Sequence, residues 1–166
     1  MKNFCGCPGS KTVEFQKAET PEGAATAKVN SQLRQWPIQL HLVSPEAPYF
    51  KGADVLLAAD CAPFAIGNFH DDFLKGKSLA IACPKLDEGQ DAYVEKIRAL
   101  FDDAQINTLT VVIMQVPCCR GLLSLAVQAL RKSRRKAPIR YVVAGLQGDV
   151  LQEGWVEEGA VALPGS

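Results

Sequence analysis

From residue 36 onward, short apolar runs alternate with stretches in which apolar residues recur every three or four positions. A continuous apolar run predicts a strand covered on both faces, and the longer spacing predicts a helix with one face on a sheet. Val55, Leu56, Leu57, Ala58 and Ala59 form one run, and Leu79, Ala80, Ile81 and Ala82 form another. β-Branched residues dominate 110–116 and 139–144, which predicts two further strands. Residues 38–43 alternate apolar and polar, as in a half-buried strand nearer an edge. Five strands result.

The helical spacing is clear at Val94, Ile97, Leu100, Phe101 and Ala104, with Asp91 as the expected N-cap. It repeats at Leu122, Leu125, Ala126, Ala129 and Leu130. There Arg131, Lys132, Arg134, Arg135 and Lys136 fall near the C-terminal end, where cations favour the helix dipole, so this basic cluster is read as structural. Residues 64–74 predict a short helix ending at Gly76, weakened at Gly67. Repeated strand–helix units predict an α/β fold: a Rossmann-like or flavodoxin-like, mainly parallel sheet of about five strands with helices on both faces. We place an N-terminal cysteine-containing arm and linker at 1–35, the α/β domain at 36–150 and a C-terminal tail at 151–166.

A chain of 166 residues can bury a core without covalent staples. Eighteen basic and eighteen acidic residues cancel, which removes the footprint of a nucleic-acid or anionic-membrane binder. No apolar run approaches the length of a bilayer span, and the start resembles no signal peptide, so a cytoplasmic location is expected. Six cysteines in a reducing compartment point to metal or redox chemistry rather than disulfides.

Cys61 follows the run 55–59, Cys83 ends the run 79–82, and Cys118 and Cys119 follow the run 110–116. One cysteine at a strand end is ordinary packing. Four at the carboxyl ends of parallel strands share one sheet edge, where ligands of α/β proteins bind. Cys119 also precedes a helix, whose dipole is expected to lower its pKa. Soft thiolates suit a Cys₄ zinc site or a four-iron cluster alike. Cys7, in Cys5-Gly6-Cys7-Pro8, is a candidate further ligand on the arm, and His70, nine positions after Cys61, is another. No glycine-rich nucleotide fingerprint follows a strand, because Gly145-Leu146-Gln147-Gly148 comes too late, so no flavin or nicotinamide is indicated.

Six blocks carry a family resemblance: Cys7-Pro8-Gly9-Ser10, Leu33-Arg34-Gln35-Trp36-Pro37, Ala58-Ala59-Asp60-Cys61, Phe73-Leu74-Lys75-Gly76-Lys77, Ala82-Cys83-Pro84-Lys85-Leu86-Asp87 and Val116-Pro117-Cys118-Cys119. Together the chain resembles the C-terminal domain of an anaerobe-associated, ferredoxin-like 4Fe-4S iron–sulfur binding protein family, here without the N-terminal ferredoxin module. The resemblance implies a cluster bound by Cys61, Cys83 and Cys118 or Cys119, with Cys7 as candidate fourth ligand. It also implies anaerobic electron transfer with a redox partner such as a ferredoxin. The family usually continues the cysteine pair with two glycines, and this chain has Arg120-Gly121 there. Two other classes stand beside it. One is a zinc-dependent lyase or hydrolase using Cys61, His70, Cys83 and a water oriented by Asp60 or Asp71. The other is a metal-free thiol redox or interaction module centred on Cys118 and Cys119.

Overall fold

The computed structural model describes Phe15 and residues 29–157. Its strands are β1 (Asp54–Ala59), β2 (Ser78–Ala82), β3 (Thr108–Met114), β4 (Ile139–Ala144) and β5 (Val150–Trp155), in the sheet order β2-β1-β3-β4-β5. The first four are parallel and β5 runs antiparallel to β4. The apolar runs are continuous because both faces are covered: Val55 through Ala59 and Leu109 through Met114 are all buried.

The helices are α1 (Ala62–Ala65), α2 (Gln90–Asp102) and α3 (Arg120–Lys132). Strand β2 lies on one side of β1 and β3 on the other. Right-handed crossovers therefore put α2 and α3 together on one face and α1 on the opposite face. Accordingly, α2 packs against α3. Tyr93, Ile97, Leu100 and Phe101 of α2 and Leu122, Ala126 and Ala129 of α3 form that side of the core. No helix among the described residues is long and apolar enough to cross a membrane.

The structure departs from the sequence reading at four places. Residues 38–43 are not a strand: Gln39 makes a single parallel bridge to Ile81, and the chain then turns. Leu40 and Val43 are buried while Leu42 is exposed, a spacing of three that belongs to a turn. Lys96 holds this turn by donating from Nζ to the carbonyls of Leu40 (3.0 Å), His41 (2.6 Å) and Val43 (3.0 Å). The fifth strand comes instead from the segment read as tail, since Val150–Trp155 pairs with β4. Its burial pattern is almost wholly exposed, so it lacks the apolar signal of the other strands. Helix α2 starts at Gln90 with Gly89 as N-cap at φ +70°, and Asp91 lies in its first turn. The helix expected over 64–74 is split into α1 and a π-helical turn, His70–Leu74, on either side of Gly67.

The basic residues after α3 serve the fold. Backbone N–H groups of Arg134 (2.8 Å) and Arg135 (2.9 Å) donate to Asp102 Oδ1. Lys136 Nζ donates to the carbonyls of Leu130 and Ser133 (both 2.5 Å) at the helix end. On the opposite flank, the Gln35 side-chain amide substitutes for a neighbouring strand, donating to Leu79 O (2.6 Å) and accepting from Leu79 N–H (3.2 Å). Described residues before β1 thus cover the edge of β2.

Candidate functional site

Strand order reverses direction at β1, because the chain passes from β1 to β2 on one side and then to β3 on the other. The loops after β1 and β3 consequently part at the carboxyl edge and open the crevice in which ligands of such sheets bind. Cys61 sits after β1, as N-cap of α1. Cys83 immediately follows β2. Cys118 and Cys119 lie in the 3₁₀ turn Pro117–Cys119 between β3 and α3, with Cys119 as the N-cap of α3. Neighbouring strands are about 4.8 Å apart, so three adjacent cysteine-bearing strand ends lie within roughly 10 Å. Gly121 tightens this arrangement. A Cβ there would stand 3.1 Å from Pro84 Cβ, so glycine lets the first turn of α3 approach the segment after Cys83.

Two residues the sequence reading left without a role brace Cys83. Asp87 Oδ2 accepts from the Cys83 N–H (2.8 Å) and from the Tyr93 hydroxyl (2.6 Å), while the Asp87 N–H donates to Cys83 O (2.9 Å). The ring of His41 packs on Tyr93 at 4.4 Å, and its Nε2 contacts Glu88 O (2.9 Å). An aspartate four positions after the cysteine is the signal that could have found this loop, since such side chains satisfy nearby backbone N–H groups.

Acidic groups crowd Cys61 at this edge. Partial desolvation pushes the Cys61 thiol up, although the residue as a whole is exposed, and Cys83, Asp60 and Cys118 push it further. Asp60 is raised by burial and by Asp87, against a hydrogen bond from the Gln39 side chain. Tyr93 is raised by burial and by its bond to Asp87. The described groups that push Cys61 up besides burial are thus themselves acids. Cys119 reverses the expectation for a thiol at a helix start: burial pushes it up to about 12, outweighing its hydrogen bond with the Met114 backbone. The helix dipole does not prevail because the side chain turns into the core, where it is 6% exposed. Cys61 is exposed, and Cys83 and Cys118 are half-buried.

His70 faces other surroundings. Its Nδ1 accepts the Gln32 N–H (3.0 Å), and it lines an apolar cavity beside α1. It is not among the groups acting on Cys61. Asp60 lines the same cavity, whereas the side chain of Asp71 accepts from Gln32 Nε2 (3.2 Å). Cys5 and Cys7 lie outside the described residues. Among the described residues, no group of three or more His, Cys, Asp or Glu is placed to hold a metal ion as the side chains stand.

The chain is similar to an uncharacterized protein of Archaeoglobus fulgidus, with 29% identity over 121 residues, covering 72% of this chain and 83% of that protein. No solved structure matches it significantly. Residues 47–162 match the Rossmann-like domain, in agreement with the parallel sheet, its crossovers and the switch at β1. The chain belongs to the Rossmann-like domain family.

Proposed function

We propose that this protein holds an iron–sulfur cluster on cysteine thiolates at the carboxyl edge of its sheet and takes part in electron transfer. The observation that carries this reading is the cysteine set itself. Cys61, Cys83 and Cys118 follow three neighbouring parallel strands, and Cys83, Asp60 and Cys118 each push the Cys61 thiol up. A thiol pushed up by neighbouring acids loses that repulsion when a cation joins them, and soft thiolates select iron–sulfur clusters or zinc. The resemblance to ferredoxin-like iron–sulfur proteins favours the cluster.

In this reading Cys61, Cys83 and Cys118 are ligands and Cys7 is the fourth. Cys119, buried and bonded to the Met114 backbone, supports the turn from inside. Because the thiols do not already close on one point, loading entails rotation of these side chains about backbone positions fixed by the strands. Asp87 and Tyr93 hold the backbone of Cys83 during that rotation. The cluster would supply one-electron transfer when bound.

Anaerobic purification followed by iron, acid-labile sulfide and zinc analysis tests the reading. The expected result is iron and sulfide in equal, stoichiometric amounts, falling to background in Cys61→Ser, Cys83→Ser and Cys118→Ser and retained in Cys119→Ser. Stoichiometric zinc without sulfide, or iron content indifferent to Cys61→Ser, would overturn it.

A further inference from the structure

Strand register brings Cys61 and Cys83 within reach of one another. Ala59 is paired with Ala82, and the ladder continues one step further because the Asp60 N–H donates to Ala82 O (3.2 Å). Asp60 therefore stands opposite Cys83, and Cys61 is one position beyond it. With about 4.8 Å between parallel strands and about 3.3 Å along them, the two Cα atoms lie about 6 Å apart, near the commonest Cα separation of a disulfide. The backbone at each cysteine is already fixed. The Cys61 carbonyl accepts from the Phe64 N–H (3.2 Å) and the Ala65 N–H (3.3 Å) as α1 begins. The Cys83 carbonyl accepts from the N–H groups of Leu86 (3.2 Å) and Asp87 (2.9 Å), and Asp87 Oδ2 holds the Cys83 N–H (2.8 Å). Closing a bond between them asks for rotation of side chains alone.

The other thiols are worse placed. On the β3 side, the pairing of Ala58 with Val112 sets Cys61 level with Gln115, three positions short of Cys118. Cys119 is buried in the core. After desolvation, Cys83 pushes the Cys61 thiol up more than the adjoining Asp60 does, as a close thiol should.

We propose that in the cluster-free chain Cys61 and Cys83 form a reversible disulfide, closed by a low-molecular-weight disulfide and reopened by a dithiol. Exposed Cys61 attacks a sulfur of the small disulfide as a thiolate and expels one small thiol. Half-buried Cys83 then attacks the Cys61 sulfur and expels the second. Two protein thiols are oxidised, the small disulfide is reduced to two thiols, and each protein proton ends on a released thiol. The bond is independent of the cluster reading, but its consequence rests on that reading. A chain with Cys61 and Cys83 joined lacks two of the ligands, so oxidation closes the site to loading.

Trypsin leaves Cys61 in 52–75, Cys83 in 78–85, and Cys118 with Cys119 in 99–120, so mass spectrometry without reduction identifies the partners. Metal-free native chain treated with oxidised glutathione at pH 8 and then alkylated is expected to give 52–75 linked to 78–85 as the main product. Less than about a tenth of Cys61 should remain as the glutathione mixed disulfide, because an oriented internal thiol outruns a second external one. Cys118→Ser should keep the link, and Cys83→Ser should leave the mixed disulfide on Cys61. Linkage of Cys61 chiefly to 99–120, a mixed disulfide that persists in the native chain, or no link at all would overturn the pairing, and none of these results needs a variant to fold. Oxidised and dithiothreitol-treated samples, desalted, are then offered ferrous iron and sulfide without oxygen. Uptake by the reduced sample alone is expected, and equal uptake by both overturns the gating. No uptake by either refutes the cluster reading and the gating with it, while the peptide map still decides the pairing.

Discussion

Gly148 lies in the turn between β4 and β5, at φ +92°, and a Cβ there would stand 2.3 Å from the carbonyl oxygen of Ala65 and 3.1 Å from Ile66 Cα. Gly148→Ala therefore imposes two costs. A left-handed backbone costs an alanine about 1–2 kcal/mol. Relieving the contact moves backbone, because the obstructing atom belongs to α1 and not to a pliable side chain, and overpacking of this kind costs about 1–3 kcal/mol. The sum is about 3 kcal/mol. With a urea m-value of about 2 kcal/mol/M, the unfolding midpoint should fall by about 1.5 M. Gly52 provides the control, since its φ is +63° and nothing stands within 4 Å of its Cβ position. Gly52→Ala carries the backbone cost alone and should lose about 0.5–1 M. Urea unfolding followed by circular dichroism measures both. Equal midpoints for the two variants would refute the claim that the β4–β5 turn is packed against α1. Since Cys61 caps α1, Gly148→Ala should also change the rate at which Cys61 is alkylated.

Asp102, its side chain only 1% exposed, is held below the usual carboxylate range by the Arg135 N–H, with the Arg134 N–H and the Arg98 guanidinium adding to it. A depressed folded pKa means that this stabilisation is present above about pH 4 and is lost as pH falls through the folded value. Asp102→Ala should cost about 2 kcal/mol at pH 7, and the gap from the native chain should narrow in urea unfolding below pH 4. Lys96→Met leaves the carbonyls of Leu40, His41 and Val43 without their shared donor, so hydrogen exchange over 38–44 should accelerate several-fold while β3 stays protected. In metal-free protein, alkylation at pH 8 read by mass spectrometry should modify exposed Cys61 before Cys119. The latter's buried thiol, pushed up to about 12, should react only on unfolding, and early labelling of Cys119 would contradict its inward orientation.

The covered strands were legible because burial on both faces leaves only one kind of residue acceptable. Val55 through Ala59 therefore announce β1 without any knowledge of its neighbours. The edges were not legible. Val150–Trp155 is a strand through backbone pairing to β4, which asks little of its side chains and leaves Leu151 and Trp155 exposed. Residues 38–43 alternate as a strand would, yet the backbone turns because Lys96, more than fifty positions away, gathers its carbonyls. At the site, the cysteine positions followed from strand ends, whereas the contrast between exposed Cys61 and buried Cys119 depends on what packs around each one.

By itself the sequence determined the α/β class, the covered strands, the two long helices and the placing of four cysteines at strand ends. These follow from local periodicity, and periodicity is written in the chain. Only the tertiary structure decided that β1 is the switch point, that Cys119 points into the core, that Asp87 and Tyr93 brace Cys83, and that Asp60 shares a cavity with His70. Each of these is a relation between segments distant in sequence. Burial and hydrogen-bond partners arise only when those segments meet.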